Sequence, residues 1–564
     1  MNSISAPRVR QSAVLAAGLL LALMPGRPQA AAPAAPAAPA ALPPVVTAAA
    51  AEIAGSRLYA DVAFLADDML EGRATGTRGY DLAAAYVATR MAALGLEPAG
   101  DTAYFQRVPM RRAMLDPARS NLALVRGQAE QPLQLGRDAM LSPDFLREAW
   151  TTDAPLVFVG YGVTAPEMGY DDYANLDVRG KVVVQFRGAP PRFPHNERAY
   201  YSNGQVKDQM AAARGAVGVV SMLKPSEQVN QPWERTERQS HLPSFRWTDP
   251  GGAPANVQAL IELGARLSPE GIAAVFAGAP KAFGDAAADA ESSVAGGFNL
   301  EPKIRARVAT RHSRASSSNV VGLLRGSDPK LAQEAIVITA HLDHLGIGVP
   351  VAGDSIHNGA YDNASGTAML LEVARAFTRM KVRPRRSILF AAVTGEEKGL
   401  QGSDYMARRD APAGLDVVGN INLDMVLALR PLTHIVAFGA EHSTLGPVVE
   451  RAAALAGLAV IPDPTPDQVV FIRSDQFSYV KQGIPAIFPV SGGNGSAENL
   501  AEVVRWRAEH YHAPSDDMGQ PFDWDGEARF TRMAFLATWL AADGAKAPRW
   551  NDGDFFGQKF GPLK

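Results

Sequence analysis

The second half of the chain alternates runs of buried apolar residues with segments of helical spacing. Four short apolar runs are bounded by polar or glycine-containing turns, which is the pattern of fully buried strands. Longer amphipathic segments between them predict helices. The predicted strands are residues 335–340, 387–393, 417–423 and 484–490, and the predicted helices are residues 365–377 and 527–542. Alternation of this kind predicts an α/β fold in which helices flank a central mixed, mostly parallel sheet.

The stretch from residue 141 to residue 296 has a different character. Its predicted elements are a strand followed by a turn at 156–162, strands at 180–186 and 217–222, and a helix at 207–214. It contains no cluster of potential metal ligands. We therefore predict an inserted β-rich domain over 141–296, which divides a larger catalytic domain into residues 49–140 and 297–545. Residues 546–564 are then a C-terminal tail.

Residues 1–30 have the pattern of an export signal. Arg8 and Arg10 precede a short apolar run at 13–24, which is too short to span a bilayer comfortably. Residues 31–48 are rich in Ala and Pro and favour an extended linker. We predict that the signal is cleaved and that the mature protein is periplasmic or secreted, with no membrane association after cleavage.

Composition narrows the function classes. The chain has 564 residues and a formal net charge of −3, so no charge excess indicates nucleic acid or an anionic membrane as partner. It contains no cysteine. Thiolate metal ligands and a cysteine nucleophile are therefore excluded, which leaves imidazoles and carboxylates as ligands. The composition does not indicate an oligomeric state.

Six acidic and histidine side chains form the strongest chemical signal. In chain order they are His341, Asp362, Glu396, Glu397, Asp424 and His512. Two imidazoles and three carboxylates suit two Zn²⁺ ions if one carboxylate bridges them, and the remaining acid can handle a proton. Two further histidines, His344 and His357, are interpreted as loop residues or as supports outside the coordination shell.

Most of these residues follow predicted strands. His341 directly follows one strand, Asp424 ends another, and Glu396 follows a third after a short turn. In α/β sheets, ligands bind beyond the carboxyl ends of the strands. We predict that Glu396 is the general base, which accepts a proton from the activated water and later delivers it to the leaving amine. Asp343, two residues after His341, is predicted to orient that imidazole.

Five short motifs around these residues resemble the M28 zinc aminopeptidase family. They are residues 340–346 (AHLDHLG), 362–366 (DNASG), 396–403 (EEKGLQGS), 422–425 (NLDM) and 511–516 (YHAPSD). The resemblance implies a phosphorylase/hydrolase-like fold, two Zn²⁺ ions, and peptide substrates from which N-terminal residues are released. The insert is similar to a protease-associated (PA) domain, a likeness that rests on its strand pattern and on Tyr161-Gly162 and residues 170–173 and 180–183.

The resemblance also assigns a role to each residue. By this resemblance, Asp362 bridges the two metals and Glu396 is the general base. His341 and Asp424 complete one zinc site. Glu397 and His512 complete the other.

The oxyanion donor is where the chain departs from the family pattern. Some members use a tyrosine near the position of Phe471, and a phenylalanine ring cannot donate a hydrogen bond. The candidates for oxyanion or substrate contacts are therefore Arg473, Tyr479 and Tyr361.

Other functions remain open at this level. A dizinc carboxypeptidase would need a basic clamp for a C-terminal carboxylate, and a glutaminyl-cyclase-like acyl transferase would need a different metal count. A non-catalytic binding protein on the same fold would be expected to lack a ligand or the base. Spacing alone supports a two-metal hydrolase and does not choose peptides over other amides. We also hypothesise that the insert overhangs the site and restricts it to short peptides.

Overall fold

The computed structural model describes residues 41–228, 231–240, 242–408 and 414–561. The predicted signal and most of the predicted linker lie outside these residues. From Pro44 onward the chain forms one compact unit. Of the helices in the described ranges, none combines the length and apolar character needed to cross a membrane.

The strands, numbered in chain order, are β1 (Glu97–Pro98), β2 (Phe105–Leu115), β3 (Asn121–Arg126), β4 (Ala129–Leu133), β5 (Ala139–Leu141), β6 (Ala149–Phe158), β7 (Thr164–Ala165), β8 (Tyr170–Asp171), β9 (Val182–Phe186), β10 (Gly218–Met222), β11 (Ser244–Trp247), β12 (Leu263–Leu267), β13 (Phe298–Leu324), β14 (Glu334–His341), β15 (Gly346–Val351), β16 (Asp354–His357), β17 (Ser387–Val393), β18 (Asp416–Asn422), β19 (His434–Phe438), β20 (Ala459–Ile461) and β21 (Ala486–Ser491).

The α-helices are α1 (Pro44–Ala51), α2 (Gly55–Leu65), α3 (Arg78–Ala93), α4 (His195–Ser202), α5 (Gly204–Ala213), α6 (Pro225–Gln228), α7 (Trp233–Ser240), α8 (Pro269–Phe276), α9 (Phe283–Glu291), α10 (Gly366–Arg379), α11 (Gln401–Arg408), α12 (Leu445–Leu455), α13 (Gln476–Val480), α14 (Ala497–Glu509), α15 (Trp524–Asp543) and α16 (Phe555–Phe560).

The first sheet has the order β11–β2–β13–β17–β14–β18–β21–β19–β20. Its central strands β17, β14, β18 and β21 are parallel, whereas β13 and β19 run antiparallel to their neighbours β17 and β21. Helices α10 and α15 pack against the central strands. Every residue of β17 is buried, as expected for a strand covered on both faces. The predicted mixed, mostly parallel sheet flanked by helices is confirmed.

The second sheet has the order β4–β3–β13–β6–β9–β10–β12–β5. Strand β13 belongs to both sheets. Over residues 300–308 its charged side chains are exposed and alternate with buried ones, which is typical of a sheet with one solvated face. The second sheet takes strands from residues 121 to 309, a wider range than the predicted insert at 141–296. The division into domains therefore stays a prediction.

Both ends of the compact unit differ from the sequence expectation. The predicted linker runs to residue 48, but α1 begins at Pro44, where proline is well tolerated in the first helical turn. Val46 is fully buried, because α1 packs on α10 and α15. The segment predicted as a tail is also packed, since Phe556 of α16 is completely buried.

Candidate metal centre

The carboxyl ends of the parallel strands bring three predicted ligands together. His341 is the last residue of β14, Asp424 follows β18, and Asp362 lies in the turn before α10. The Nε2 atom of His341 lies 3.2 Å from Oδ1 of Asp362 and 3.3 Å from Oδ1 of Asp424. All three side chains are buried. One nitrogen and two carboxylates thus converge, and this group has the donors and spacing that a metal ion requires.

A second group shares Asp362 with the first. Nε2 of His512 lies 3.3 Å from Oδ2 of Asp362 and 3.1 Å from Oε2 of Glu397. Nδ1 of His344 lies 2.8 Å from the other Glu397 oxygen, Oε1, and 3.9 Å from Oδ2 of Asp362. Asp362 therefore presents one carboxylate oxygen to each group, which is the arrangement that a bridging ligand needs.

His344 is the residue that sequence reasoning assigned to a supporting place at most. The structure instead puts its ring within the second group, against Glu397. The signal that points to it is its spacing: His344 follows His341 by three residues in the loop after β14. Two histidines this close in sequence, at the end of one strand, can direct their rings into two adjacent metal sites.

The imidazole of His341 is oriented by the main chain. Its Nδ1 lies 3.0 Å from the carbonyl oxygen of Asp343, which leaves Nε2 to face the carboxylates. Asp343 was predicted to hold this ring, and it does so through its backbone. Its carboxylate has a different task, because it accepts hydrogen bonds from Oγ1 of Thr75 at 2.9 Å and from the main-chain N–H of Glu396 at 3.1 Å. Asp343 therefore links His341 to the turn that carries the predicted base.

Asp424 is held by a serine that the sequence analysis missed. Oγ of Ser474 donates to Oδ2 of Asp424 at 2.5 Å, while Oδ1 faces His341. The amide of Asn422 donates in turn to Oγ of Ser474 at 2.8 Å. This chain of hydrogen bonds fixes the carboxylate in one rotamer, with a single oxygen directed into the first group. No local pattern announces Ser474, which is distant from Asp424 in sequence.

A buried arginine supports the loops that carry the ligands. Arg73 is 1% exposed and lies in the glycine-rich turn at 71–77. Its guanidinium donates to the main-chain oxygens of Leu342 at 2.9 Å, Asn358 at 2.6 Å and Gly359 at 3.0 Å. Burial lowers its pKa to about 10. Arg73 therefore joins the loop after β14 to the loop before Asp362.

Burial and charge together set the protonation of the site. Burial raises the pKa of Glu396 well above its usual range, and the carboxylate of Glu397 raises it further against the lowering effect of His341. A raised pKa favours the protonated form of this carboxyl group. Burial alone would lower the pKa of His512, but Glu397 and Asp362 raise it to about 9.

The donor set fits zinc ions. Zinc accepts imidazole nitrogen and carboxylate oxygen, and buried carboxylates at this density need cations nearby. Within the described ranges, Oε1 of Glu397 and both ring nitrogens of His344 are buried without a hydrogen-bond partner. Buried polar atoms are rarely left in that state, and atoms aimed at a metal ion are a physical exception.

The three candidates for oxyanion contacts occupy different environments. Tyr361 is fully buried, and its hydroxyl donates to the main-chain oxygen of Pro521 at 2.6 Å, so its proton is engaged there. Tyr479 is also buried, and its hydroxyl has no hydrogen-bond partner among the residues described. Arg473 is exposed and directly precedes Ser474. Of the three side chains, only that of Arg473 is exposed.

The part of the chain that contains the metal centre matches a known protein family. Residues 319–538 match the model of peptidase family M28. This range includes both groups of the metal centre, from His341 to His512. The resemblance of the motifs to peptidase family M28 is therefore confirmed over residues 319–538.

Two curated fungal relatives share short segments with the chain. A probable zinc metalloprotease of Leptosphaeria maculans is 41% identical over 109 residues, which is 19% of this chain and 24% of the relative. A probable zinc metalloprotease of Pyricularia oryzae is 39% identical over 110 residues, which is 19% of this chain and 21% of the relative. The shared segment thus spans less than a quarter of each relative.

A solved structure shares the fold over most of the chain. It is an aminopeptidase from Aneurinibacillus sp. strain AM-1, with a TM-score of 0.51 and 19% sequence identity. The likeness covers 90% of this chain and 100% of that protein. At this identity the similarity concerns the architecture.

Proposed function

We propose that the protein is an exported dizinc metallopeptidase that removes N-terminal residues from peptides. The observation that carries the proposal is the sharing of Asp362 between two donor groups. One oxygen of Asp362 faces His341, which also meets Asp424, and the other faces His512, which also meets Glu397. Two ions held side by side in this way are typical of metal-dependent hydrolases.

The residues around the metals divide the chemistry between them. When bound, two zinc ions supply Lewis-acid activation of a water molecule and of the scissile carbonyl. Glu396 accepts a proton from the attacking water and later donates it to the leaving amine. The hydrogen bond from its main-chain N–H to Asp343 keeps the turn that carries it in place. Proton transfer of this kind contributes about 10²–10⁴-fold to the rate.

The preference for peptide N-termini rests on two supports. The motifs resemble a family of aminopeptidases, and the solved relative with the same architecture is named an aminopeptidase.

A carboxypeptidase on the same scaffold is the second candidate, favoured by two arginines near the metal groups. Arg507 of α14 donates to Gln468 at 3.1 Å. Burial lowers the pKa of Arg507, and the neighbouring guanidinium of Arg473 lowers it further. Such a pair can bind a C-terminal carboxylate. The two candidates therefore differ in which end of the peptide they require.

Blocked peptides separate the candidates. Turnover is measured on one short peptide in three forms: both ends free, N-terminally acetylated, and C-terminally amidated. An aminopeptidase loses activity on the acetylated form and keeps it on the amidated form, and the opposite pattern identifies a carboxypeptidase. A protein that binds zinc and cleaves none of the three is a non-catalytic binding protein.

The role of the base is tested by Glu396→Gln, with zinc content measured in the same preparation. We expect zinc to be retained and kcat to fall by about 10²–10⁴-fold. The matched control is Glu450→Gln, at an exposed position on α12, which should leave kcat unchanged. Turnover close to that of the wild type in Glu396→Gln would remove this residue from the mechanism.

We further propose that residues 1–30 direct export and that the PA-like segment narrows access to the site. Export predicts a shortened N-terminus in protein recovered outside the cytoplasm. For the access proposal, α4 provides a contact to weaken: Nε2 of His195 lies 3.1 Å from Oδ2 of Asp463. Replacing both residues with alanine should raise turnover of long peptides relative to dipeptides. An unchanged preference would end the access proposal.

A further inference from the structure

His344 has an environment unlike that of a structural histidine. Its side chain is fully buried, yet neither ring nitrogen has a hydrogen-bond partner among the described residues. Nδ1 lies only 2.8 Å from Oε1 of Glu397, but that oxygen also lacks a partner of acceptable geometry. These two donor atoms are close enough to bind one metal ion at a shared position.

The carboxylates of Glu397 and Asp362 lie between His344 and a second imidazole, that of His512. Oε1 of Glu397 faces His344, and Oε2 faces His512 at 3.1 Å. Oδ2 of Asp362 lies 3.3 Å from Nε2 of His512 and 3.9 Å from Nδ1 of His344. The two imidazole rings are 5.8 Å apart between centroids and inclined by 69°. His344, Asp362 and Glu397 thus offer donor atoms close enough for one ion, and His512 meets the same two carboxylates.

The other half of the centre has fewer donors. Its described members are His341, Asp362 and Asp424, which makes one imidazole and two carboxylates. Zinc sites with four protein ligands are closed, whereas catalytic zinc sites have three and leave a position for water.

The loop that presents His344 is held by hydrogen bonds to Arg73. The main-chain N–H of His344 donates to the carbonyl oxygen of Arg73 at 3.2 Å. The guanidinium of Arg73 returns a hydrogen bond to the carbonyl oxygen of Leu342 at 2.9 Å. A ligand held in this way loses little conformational freedom on binding, which favours tight coordination.

His357 provides a contrast within the same region. Its ring centroid lies 6.4 Å from that of His344, and its Nδ1 is also buried without a partner in the described ranges. No described carboxylate oxygen, however, is paired with His357 at ion-pair distance, whereas His344 meets both Glu397 and Asp362. Both histidines thus have a buried ring nitrogen without a hydrogen-bond partner in the described ranges, but of the two only His344 lies beside carboxylates.

We propose that His344 is a fourth protein ligand of the zinc ion held by Asp362, Glu397 and His512. This inference rests on the proposed dizinc function and refines it. The centre is then asymmetric: one half is closed by four side chains, and the half at His341 and Asp424 has the open position. The closed half is expected to bind zinc more tightly and to exchange it more slowly.

The direct test is a crystal structure of the zinc-loaded wild-type protein. We expect zinc at about 2.0–2.1 Å from Nδ1 of His344. If two ions are bound and this nitrogen instead donates a hydrogen bond to Glu397 without contacting zinc, the inference is overturned and the dizinc proposal stands. If no zinc binds at Asp362, Glu397 and His512, both the inference and the dizinc proposal are overturned.

A zinc titration against a competing chelator tests the same point in solution. We expect His344→Ala to weaken the tighter zinc site by roughly 100-fold or more, beyond the usual loss for a residue that only orients a ligand. The matched control is His357→Ala, which should leave both zinc affinities unchanged. Equal affinities in the two variants would overturn the inference. If His344→Ala does not fold, the wild-type structure decides alone.

Discussion

The carboxylate of Asp516 accepts a hydrogen bond from the main-chain N–H of Asp362, with 3.0 Å between N and Oδ2. Its other oxygen, Oδ1, accepts from the main-chain N–H of Tyr361 at 2.9 Å. Asp516 follows His512 by four residues, so one short loop supplies a ligand and also fixes the loop of the bridging carboxylate. The position of Asp362 between the two donor groups therefore depends on a residue outside them.

Asp516→Asn should weaken zinc binding. The amide nitrogen of asparagine cannot accept an N–H, so one of the two hydrogen bonds to the loop is lost. We expect zinc affinity to fall by about 10–100-fold, as for other residues that orient metal ligands. Chelator competition measures the affinity.

The neighbouring residue provides the control for that experiment. Among the contacts described for it, the carboxylate of Asp517 accepts only a local hydrogen bond, from the main-chain N–H of Gly519 at 2.7 Å. Asp517→Asn should leave zinc affinity as in the wild type. If the two variants bind zinc equally well, the supporting role of Asp516 is wrong.

Arg73→Met should destabilise the fold. The substitution leaves the buried carbonyl oxygens of Leu342, Asn358 and Gly359 without this donor, and each unsatisfied group costs about 1–3 kcal/mol. We expect a loss of about 3 kcal/mol or more, measured from the urea midpoint and slope.

The matched change lies in the same segment. Arg78 has a side chain that is 74% exposed, so Arg78→Met should change stability by no more than about 0.5 kcal/mol. Similar losses in the two variants would contradict a specific role for the buried guanidinium.

The contact between His195 and Asp463 should make stability depend on pH. The adjacent carboxylate raises the pKa of His195, so the folded state binds the proton more tightly than the unfolded chain. This stabilisation is fully present below the unfolded pKa of about 6.5 and is lost as pH rises through the folded pKa. The thermal midpoint of His195→Gln should therefore lie below that of the wild type at pH 6, with the difference shrinking by pH 9.

Asp463→Asn tests the partner in that pair. It should reproduce the loss seen at pH 6, because the imidazole then has no carboxylate beside it. A difference from the wild type that grows with rising pH in either variant would show that the sign of this contribution is wrong.

The elements that carry the chemistry could be predicted because their signals are local. Residues 388–393 are an unbroken apolar run, and they lie within β17. Residues 335–340 lie within β14, which ends at His341. Local sequence alone predicts a short buried strand that is followed at once by a charged side chain or an imidazole. The α/β fold and the neighbourhood of its metal centre follow from such runs.

What escaped prediction depends on contacts distant in sequence. Residues 311–318 are polar and resemble a loop, yet they lie within β13 because they pair with β2. Arg73 acts on Leu342, 269 positions later, and Ser474 acts on Asp424, 50 positions earlier. A single buried guanidinium or hydroxyl produces no periodic pattern in the sequence, so its hydrogen-bond partner can be identified only from the structure.

The zinc content of the protein shows whether Asp362 joins two metal sites. Zinc per chain is measured after loading and dialysis for the wild type and for alanine variants of the proposed ligands. We expect two zinc ions in the wild type, one in Asp424→Ala and at most one in Asp362→Ala, because both groups use the carboxylate of Asp362. A wild type that holds fewer than two ions, or an Asp362→Ala variant that still holds two, would contradict the dizinc proposal.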